Sequence, residues 1–300
     1  MKLGFIGLGR MGFNVVLNLK DHKVDVVAYN RSPEPVKKIK KYRVKIAFSI
    51  KELVEKLPKQ KIIWMMVTAG KPVDAVIKGL LPYLKKDDII IDGGNSFYKD
   101  SIRRYKYLKN KKINFLDIGT SGGLSGARYG ACLTIGGDKK IFKKIEPICK
   151  AVSAKRGYAY VGPAGAGHFV KIVHNGIEYA LLQAYGEGFE LLYKGPYKNL
   201  DLKKISTTWK NGSIIRSYLI GLAEKAFAKD PQLNKIAGVV GGGETGQWTV
   251  KTANEFGVDV GTIKLALNER KKSKKHPRFA GRFVAALRNE FGGHKILKNQ

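Results

Sequence analysis

Residues 2–12 read KLGFIGLGRMG, a short apolar run that passes straight into Gly7-Leu8-Gly9-Arg10-Met11-Gly12. The apolar-periodic stretch Phe13–Leu19 follows, and then a second apolar run, Val24–Tyr29 (VDVVAY). Strand, glycine turn, helix and strand make the βαβ unit in which a G-x-G-x-x-G fingerprint carries chemical meaning. Gly7 permits the tight turn, Gly9 lets the backbone approach a pyrophosphate, and Gly12 lets helix pack on strand. The helix start offers unpaired N–H groups and a partial positive charge to phosphates. The expected cofactor-binding set is therefore Gly7, Gly9, Arg10, Met11 and Gly12, joined by Val67, Thr68 and Ala69 behind the apolar run KIIWMMV at 61–67.

Outward from this unit the alternation continues. Strand candidates lie at Lys61–Val67, Asp88–Asp92, Asn114–Ile118 and Cys132–Ile135, with helical stretches at Ser49–Leu57, Pro72–Leu81, Ser101–Asn110 and Lys139–Ile148. Strands alternating with helices predict a doubly wound, mostly parallel sheet. The pattern changes near Gly162–Gly167. Beyond it Ala166–Tyr193 reads as one long helix, followed by helices at about Leu202–Trp209, Ser213–Ala226, Trp248–Phe256, Gly261–Lys272 and Ala280–Asn289. The fold class is α/β plus all-α: a Rossmann domain over residues 1–163 and an all-helical domain over 164–300.

Composition narrows the class. A hydrophobic share of 44% in 300 residues suffices for a core. No apolar run is long enough to span a bilayer, and the glycines of the first twelve residues break up any signal-peptide core, so a cytoplasmic protein without a membrane partner is expected. Two cysteines, Cys132 and Cys149, make no disulfide framework. The net charge of +32 taken alone suggests nucleic acid. It is mostly lysine, spread along the chain, with no zinc-finger spacing or RNA-binding aromatic signature. A solvated basic surface is the preferred reading, with no nucleic-acid partner, and such a field would speed encounter with polyanionic ligands.

The end of the second strand bears on the cofactor. NAD sites usually place a carboxylate there for the ribose 2′-hydroxyl. This chain has Asn30-Arg31-Ser32 instead. Arg31 would attract a 2′-phosphate, with Ser32 and Asn30 donating hydrogen bonds, so NADP is expected over NAD.

The long helix carries a polar stripe. From Lys171, the residues His174, Asn175, Glu178 and Tyr179 fall three, four, seven and eight positions on, and His168 lies one turn earlier. A solvated face would more usually be Lys and Glu. A lysine held neutral can take a proton from an alcohol. A carboxyl two turns away, about 10 Å along the axis, suits a second proton transfer at the other end of a small substrate.

These residues resemble those of the 6-phosphogluconate dehydrogenases of the short type, with a single helical domain. The matching segments are GLGRMG (7–12), DGGNS (92–96), SGG (121–123), GHFVKIVHNGIEY (167–179), GSIIRS (212–217), TGQWT (245–249) and ALRNEFGGH (286–294). Related 3-hydroxyacid dehydrogenases share the glycine fingerprint, an SGG-like turn and the lysine, but not HNGIEY or the tail. The resemblance implies oxidative decarboxylation of 6-phosphogluconate to ribulose 5-phosphate in the pentose phosphate pathway and gluconate utilisation, with no metal. Lys171 would be the base at the C3 hydroxyl and Glu178 the acid that protonates C1 of the enediol. Asn175 and His174 would hold the hydroxyls, and Ser121, Gly122 and Gly123 the carboxylate end. Asn95 would lie between substrate and nicotinamide, and Tyr179 and Arg270 (or its neighbour Lys271) would contact the phosphate. Gln247 stands where the family commonly carries Lys or Arg. Arg288 and His294 match a pair that reaches into a neighbouring subunit, which implies a homodimer or homotetramer with shared sites.

Two other functions compete. A 3-hydroxyisobutyrate-type dehydrogenase would use the lysine without decarboxylation and would not need Glu178. A basic nucleic-acid-binding protein on a Rossmann scaffold would rest on charge alone.

Overall fold

The computed structural model describes residues 1–299. The chain divides into two compact units, one from Met1 to Lys171 and one from Ile172 onward.

The first unit begins β1 (Lys2–Ile6), α1 (Arg10–Asp21), β2 (Asp25–Tyr29), α2 (Pro33–Lys40), β3 (Lys45–Ala47) and α3 (Ile50–Glu55). It continues with β4 (Ile62–Met65), α4 (Lys71–Leu80), β5 (Ile89–Asp92), α5 (Tyr98–Asn110) and β6 (Asn114–Ser121). Then come α6 (Gly123–Tyr129), β7 (Ala131–Gly137), α7 (Lys139–Val152) and β8 (Ser153–Gly162). One eight-stranded sheet runs β3-β2-β1-β4-β5-β6-β7-β8. The first six strands in that order are parallel, and β7 turns antiparallel against β6. Strand order reverses between β1 and β4, the switch point at which such sheets bind ligands beyond their carboxyl ends.

Neighbouring residues of the central strands serve opposite cores. Phe5, Trp64, Ile91 and Leu116 pack on one face; Ile6, Met65, Ile90 and Phe115 pack on the other. A strand covered on both faces is apolar without alternation, which is why IIID and IIWM read as unbroken runs.

Four elements of this unit escape the sequence reading. Helix α2 carries two prolines in its first turn, where proline is tolerated because the N–H has no partner to lose. Strand β3 has three residues, and α6 is a single short helix. Strand β8 is the sheet's edge, with exposed Lys155 and Arg156, the kind of charge that keeps an edge from pairing further.

Helix α8 (Ala166–Lys194) starts in the first unit and continues into the second. The second unit adds α9 (Leu202–Gly212), α10 (Tyr218–Lys229), α11 (Glu244–Glu255), α12 (Gly261–Lys272) and α13 (Phe279–Gly292). Its core centres on Phe189 of α8, whose ring lies 4.8 Å from Phe283 of α13 and 5.2 Å from Phe227 of α10. The helix expected from Ser213 starts at Tyr218 instead. The Ser217 hydroxyl accepts the Ile220 N–H as its cap, and Ser213–Ser217 stays outside the helix with Ile214 fully exposed. No helix among the described residues is long and apolar enough to cross a membrane.

Candidate functional site

At the switch point the glycine loop is fixed by sterics. Gly7 has φ +103°, and a Cβ on it would lie 2.3 Å from the Met66 carbonyl oxygen; a Cβ on Gly12 would lie 2.0 Å from the Gly7 oxygen. At Gly9 a Cβ would meet nothing within 4 Å. Internal packing therefore does not require glycine there, and the bare backbone leaves room for a ligand to approach. Gly9 caps α1 without a side-chain partner, so the first N–H groups of α1 face outward near Arg10 and Met11. A cleft of about 640 Å³ opens here, lined by Gly7, Gly9, Asn30, Arg31, Ser32, Val67, Thr68 and Lys71 among others. A bare glycine edge, an open helix N-terminus and a cleft of this size suit a dinucleotide. Thr68 is exposed, and Ala69 after it is half-buried.

Asn30 has a structural task within the loop. The Asn30 Oδ1 accepts the Leu8 N–H at 2.9 Å, and its Nδ2 donates to the Ser32 carbonyl at 3.0 Å. Asn30 braces the glycine loop against the end of β2, because its short amide spans the loop's free N–H and the next turn. That leaves the exposed Arg31 and Ser32 at the strand end, with Lys71 as a further cation of the cleft that the sequence reading missed.

The DGGNS segment forms a turn after β5. Asp92 is fully buried; its carboxylate accepts the Ser96 hydroxyl at 2.7 Å and the Gly94 N–H at 3.2 Å, with Arg104 at 3.5 Å. This holds Asn95 exposed at the tip. At the end of β6, Gly122 and Gly123 both have positive φ, +112° and +61°, which only glycine adopts cheaply. Ser121, 8% exposed, accepts a hydrogen bond from the Lys171 Nζ at 2.6 Å. His168 turns away from this pair. It is fully buried, with Nδ1 2.7 Å from the Ser101 hydroxyl and no hydrogen-bond partner at Nε2.

In the second unit the stripe continues along α8. Asn175 is buried and its Oδ1 lies 3.1 Å from Nδ1 of the exposed His174. Glu178 is partly buried. The Tyr179 hydroxyl lies 3.1 Å from Thr245, in the TGQWT segment, and its ring carries the Arg270 guanidinium 3.7 Å from the centroid. Arg270 is 5% exposed, and its Nη1 has no hydrogen-bond partner. Burial holds Arg270 below its ordinary guanidinium value, against the opposing pull of Tyr179 and Glu178. Burial, then repulsion from Arg270, does the same to Arg288, again against Tyr179 and Glu178. A buried guanidinium, Arg270, and a half-buried one, Arg288, thus stand beside a tyrosine and a single carboxylate. An incoming anion would relieve their repulsion.

Arg288, expected from the resemblance to serve a neighbouring subunit, lies close to Arg270 within its own chain. Helix α13 packs into the core of its own unit through Phe283 and Leu287, and this brings the next residue to Arg270. His294 follows on the tail, its ring edge-on to Phe291 at 6.0 Å. Gln247 is exposed.

Residues 2–162 match the family profile for the NAD binding domain of 6-phosphogluconate dehydrogenase, and residues 167–296 match that for the 6-phosphogluconate dehydrogenase C-terminal domain. The chain is 44% identical over 300 residues to a Haloferax volcanii protein named 6-phosphogluconate dehydrogenase, NAD(+)-dependent, decarboxylating, covering 99% of each. It superposes on the Plasmodium falciparum 6-phosphogluconate dehydrogenase, described with NADP+ and with 6-phosphogluconate, at TM-score 0.83 and 31% identity, over 96% of this chain and 70% of that one. The Salmonella typhimurium 3-hydroxyisobutyrate dehydrogenase shares the fold alone, at TM-score 0.75 and 16% identity over 94% of this chain and 99% of that one.

Proposed function

The chain belongs to the 6-phosphogluconate dehydrogenase family, and we propose that it oxidises and decarboxylates 6-phosphogluconate to ribulose 5-phosphate with NADP as the electron acceptor. The observation that carries the substrate reading is the cation pair Arg270 and Arg288 beside Tyr179, on the helix that also carries Lys171 and Glu178. A small 3-hydroxy acid has no phosphate to engage a buried and a half-buried arginine. It also has no need of a second proton donor.

When bound, the nicotinamide supplies a two-electron acceptor. The chain's own residues do the rest. Lys171, seated on Ser121, takes the proton of the C3 hydroxyl as C3 is oxidised, leaving a 3-keto acid. The C1–C2 bond then breaks. Carbon dioxide leaves, and its bonding electrons pass into the C3 carbonyl, where the Lys171 ammonium stabilises the developing enolate. Glu178, two turns along α8, protonates C1 of the enediol. Ser121, Gly122 and Gly123 hold the carboxylate end, His174 and Asn175 the hydroxyls, and Asn95 the space beside the nicotinamide. Tyr179, Arg270 and Arg288 hold the phosphate, with His294 contributing from the tail.

The choice of NADP rests on Arg31, Ser32 and Lys71 in a cleft without a carboxylate at the end of β2. The relatives divide, one named for NAD(+) and one described with NADP+. Measuring kcat/KM with 6-phosphogluconate and each cofactor decides it: NADP preferred supports this assignment, NAD preferred overturns it.

An apolar face on the opposite side of α8 supports a homo-oligomer. At about 100° per residue, Val173, Ile177 and Leu191 share one stripe away from Lys171. They are 36%, 52% and 72% exposed, an apolar face that a second copy would cover. Light scattering should give a dimer or tetramer.

A further inference from the structure

One face of β6 presents three residues in alternation, Asp117, Gly119 and Ser121, and each meets the start of α8. The Asp117 side chain is fully buried. Its Oδ1 accepts the Gly165 N–H at 2.7 Å, and its Oδ2 accepts the His168 N–H at 2.8 Å. These are first-turn donors that the helix itself leaves without partners. At Gly119 the helix comes so close that a Cβ would lie 2.5 Å from the Lys171 Cβ and 2.8 Å from the Gly167 oxygen. At Ser121 the hydroxyl takes the Lys171 Nζ. The neighbouring strand adds a further tie, since the Thr134 hydroxyl, on β7 opposite Gly119, donates to the Gly167 carbonyl at 2.9 Å.

We infer that Asp117 is a positioning residue of the reaction: with Gly119 it sets the depth and rotation at which α8 meets β6, and so where the Lys171 amine stands. This rests on the proposed role of Lys171. A buried carboxylate is costly unless its bonds are satisfied, and here they are satisfied by two helix N–H groups, so charge and helix end stabilise each other. The arrangement has one adjustable part. Helix rotation or withdrawal by a fraction of a turn would carry Lys171 off Ser121, while the glycine loop of β1 and α1 would be untouched. Asp117 would therefore act on the rate and not on either ligand's binding. Nothing in its own contacts reaches the cofactor cleft or the arginine pair.

The test uses the full-length protein and the variant Asp117→Asn, which keeps the size but loses the charge and one acceptor. Misplacement of a catalytic group by about 1 Å costs on the order of 100-fold in rate, so kcat should fall by about that factor. Both KM values and the circular dichroism should hold. Hydrogen exchange should rise at the Gly165 and His168 amides and stay unchanged in the rest of the sheet. A wild-type kcat in Asp117→Asn overturns the inference. So does a loss of activity that only tracks the loss of folded protein. Should the variant fail to fold, wild-type exchange decides: unprotected Gly165 and His168 amides sink the anchor, and protection there together with a kcat-selective loss in Gly119→Ala supports it. A wild-type protein that does not turn over 6-phosphogluconate sinks the functional reading instead, and the exchange measurement still tests the anchor.

Discussion

The two units solve the same problem, holding a charged group at a fixed place, by opposite means. In the first, Lys171 is seated by one strand: β6 supplies Ser121 for its amine, Gly119 for clearance and Asp117 for the helix end, all within five residues. In the second, the cations come from far apart in sequence, Arg270 from α12 and Arg288 from α13, gathered on Tyr179 of α8 by a helical core. A strand fixes its neighbours through backbone geometry. A helix bundle fixes them through side-chain packing, and here it gathers like charges that an anionic ligand would help to reconcile.

The comparison breaks first at Lys171. Lys171→Ala removes the base and should lower kcat by about 100- to 10,000-fold, the range of general acid–base catalysis, while NADP affinity measured by calorimetry holds. Comparable loss of cofactor binding would mean that Lys171 supports the first unit's fold instead. A different signature is expected from the second unit. Arg270→Ala should raise KM for 6-phosphogluconate by about 10- to 100-fold, a charged hydrogen bond of about 1.5–3 kcal/mol, and should change kcat less. An unchanged KM would remove the arginines from the substrate site.

How much of this could be read in advance follows the same division. The glycine fingerprint and the buried strands are local patterns, and they were legible because parallel sheets write their burial as continuous apolar runs. The stripe on α8 was legible from helical spacing. Asp117 was not singled out, although a carboxylate in the otherwise apolar run FLDIG is itself a signal that something buried must satisfy it. The nearness of Arg288 to Arg270 within one chain was beyond the sequence, since it depends on the path by which α13 packs back. The edge strand β8 was hidden by the charges that protect it. That Asn30 also braces the loop was not legible, since the bond to the Leu8 N–H appears only in the folded geometry.

The smallest expected effect concerns the thiols. Cys132 is exposed on β7, paired in register with Ser121, whereas Cys149 is buried in α7, where burial pushes its thiol up to about 12. A neutral-pH titration with a disulfide reagent should find one thiol in the folded protein and two after denaturation. Two fast thiols would show that the helix-covered face of the sheet opens readily.

The central claim is that reduction of the nicotinamide is coupled to loss of carbon dioxide through Lys171 and Glu178. The direct measurement follows NADPH and released carbon dioxide together, with 6-phosphogluconate as substrate. The account predicts equal amounts of both from the wild-type protein, and a slowed return of the proton to C1 in Glu178→Gln. NADPH formed without carbon dioxide would contradict it and would point to a dehydrogenase of simple 3-hydroxy acids.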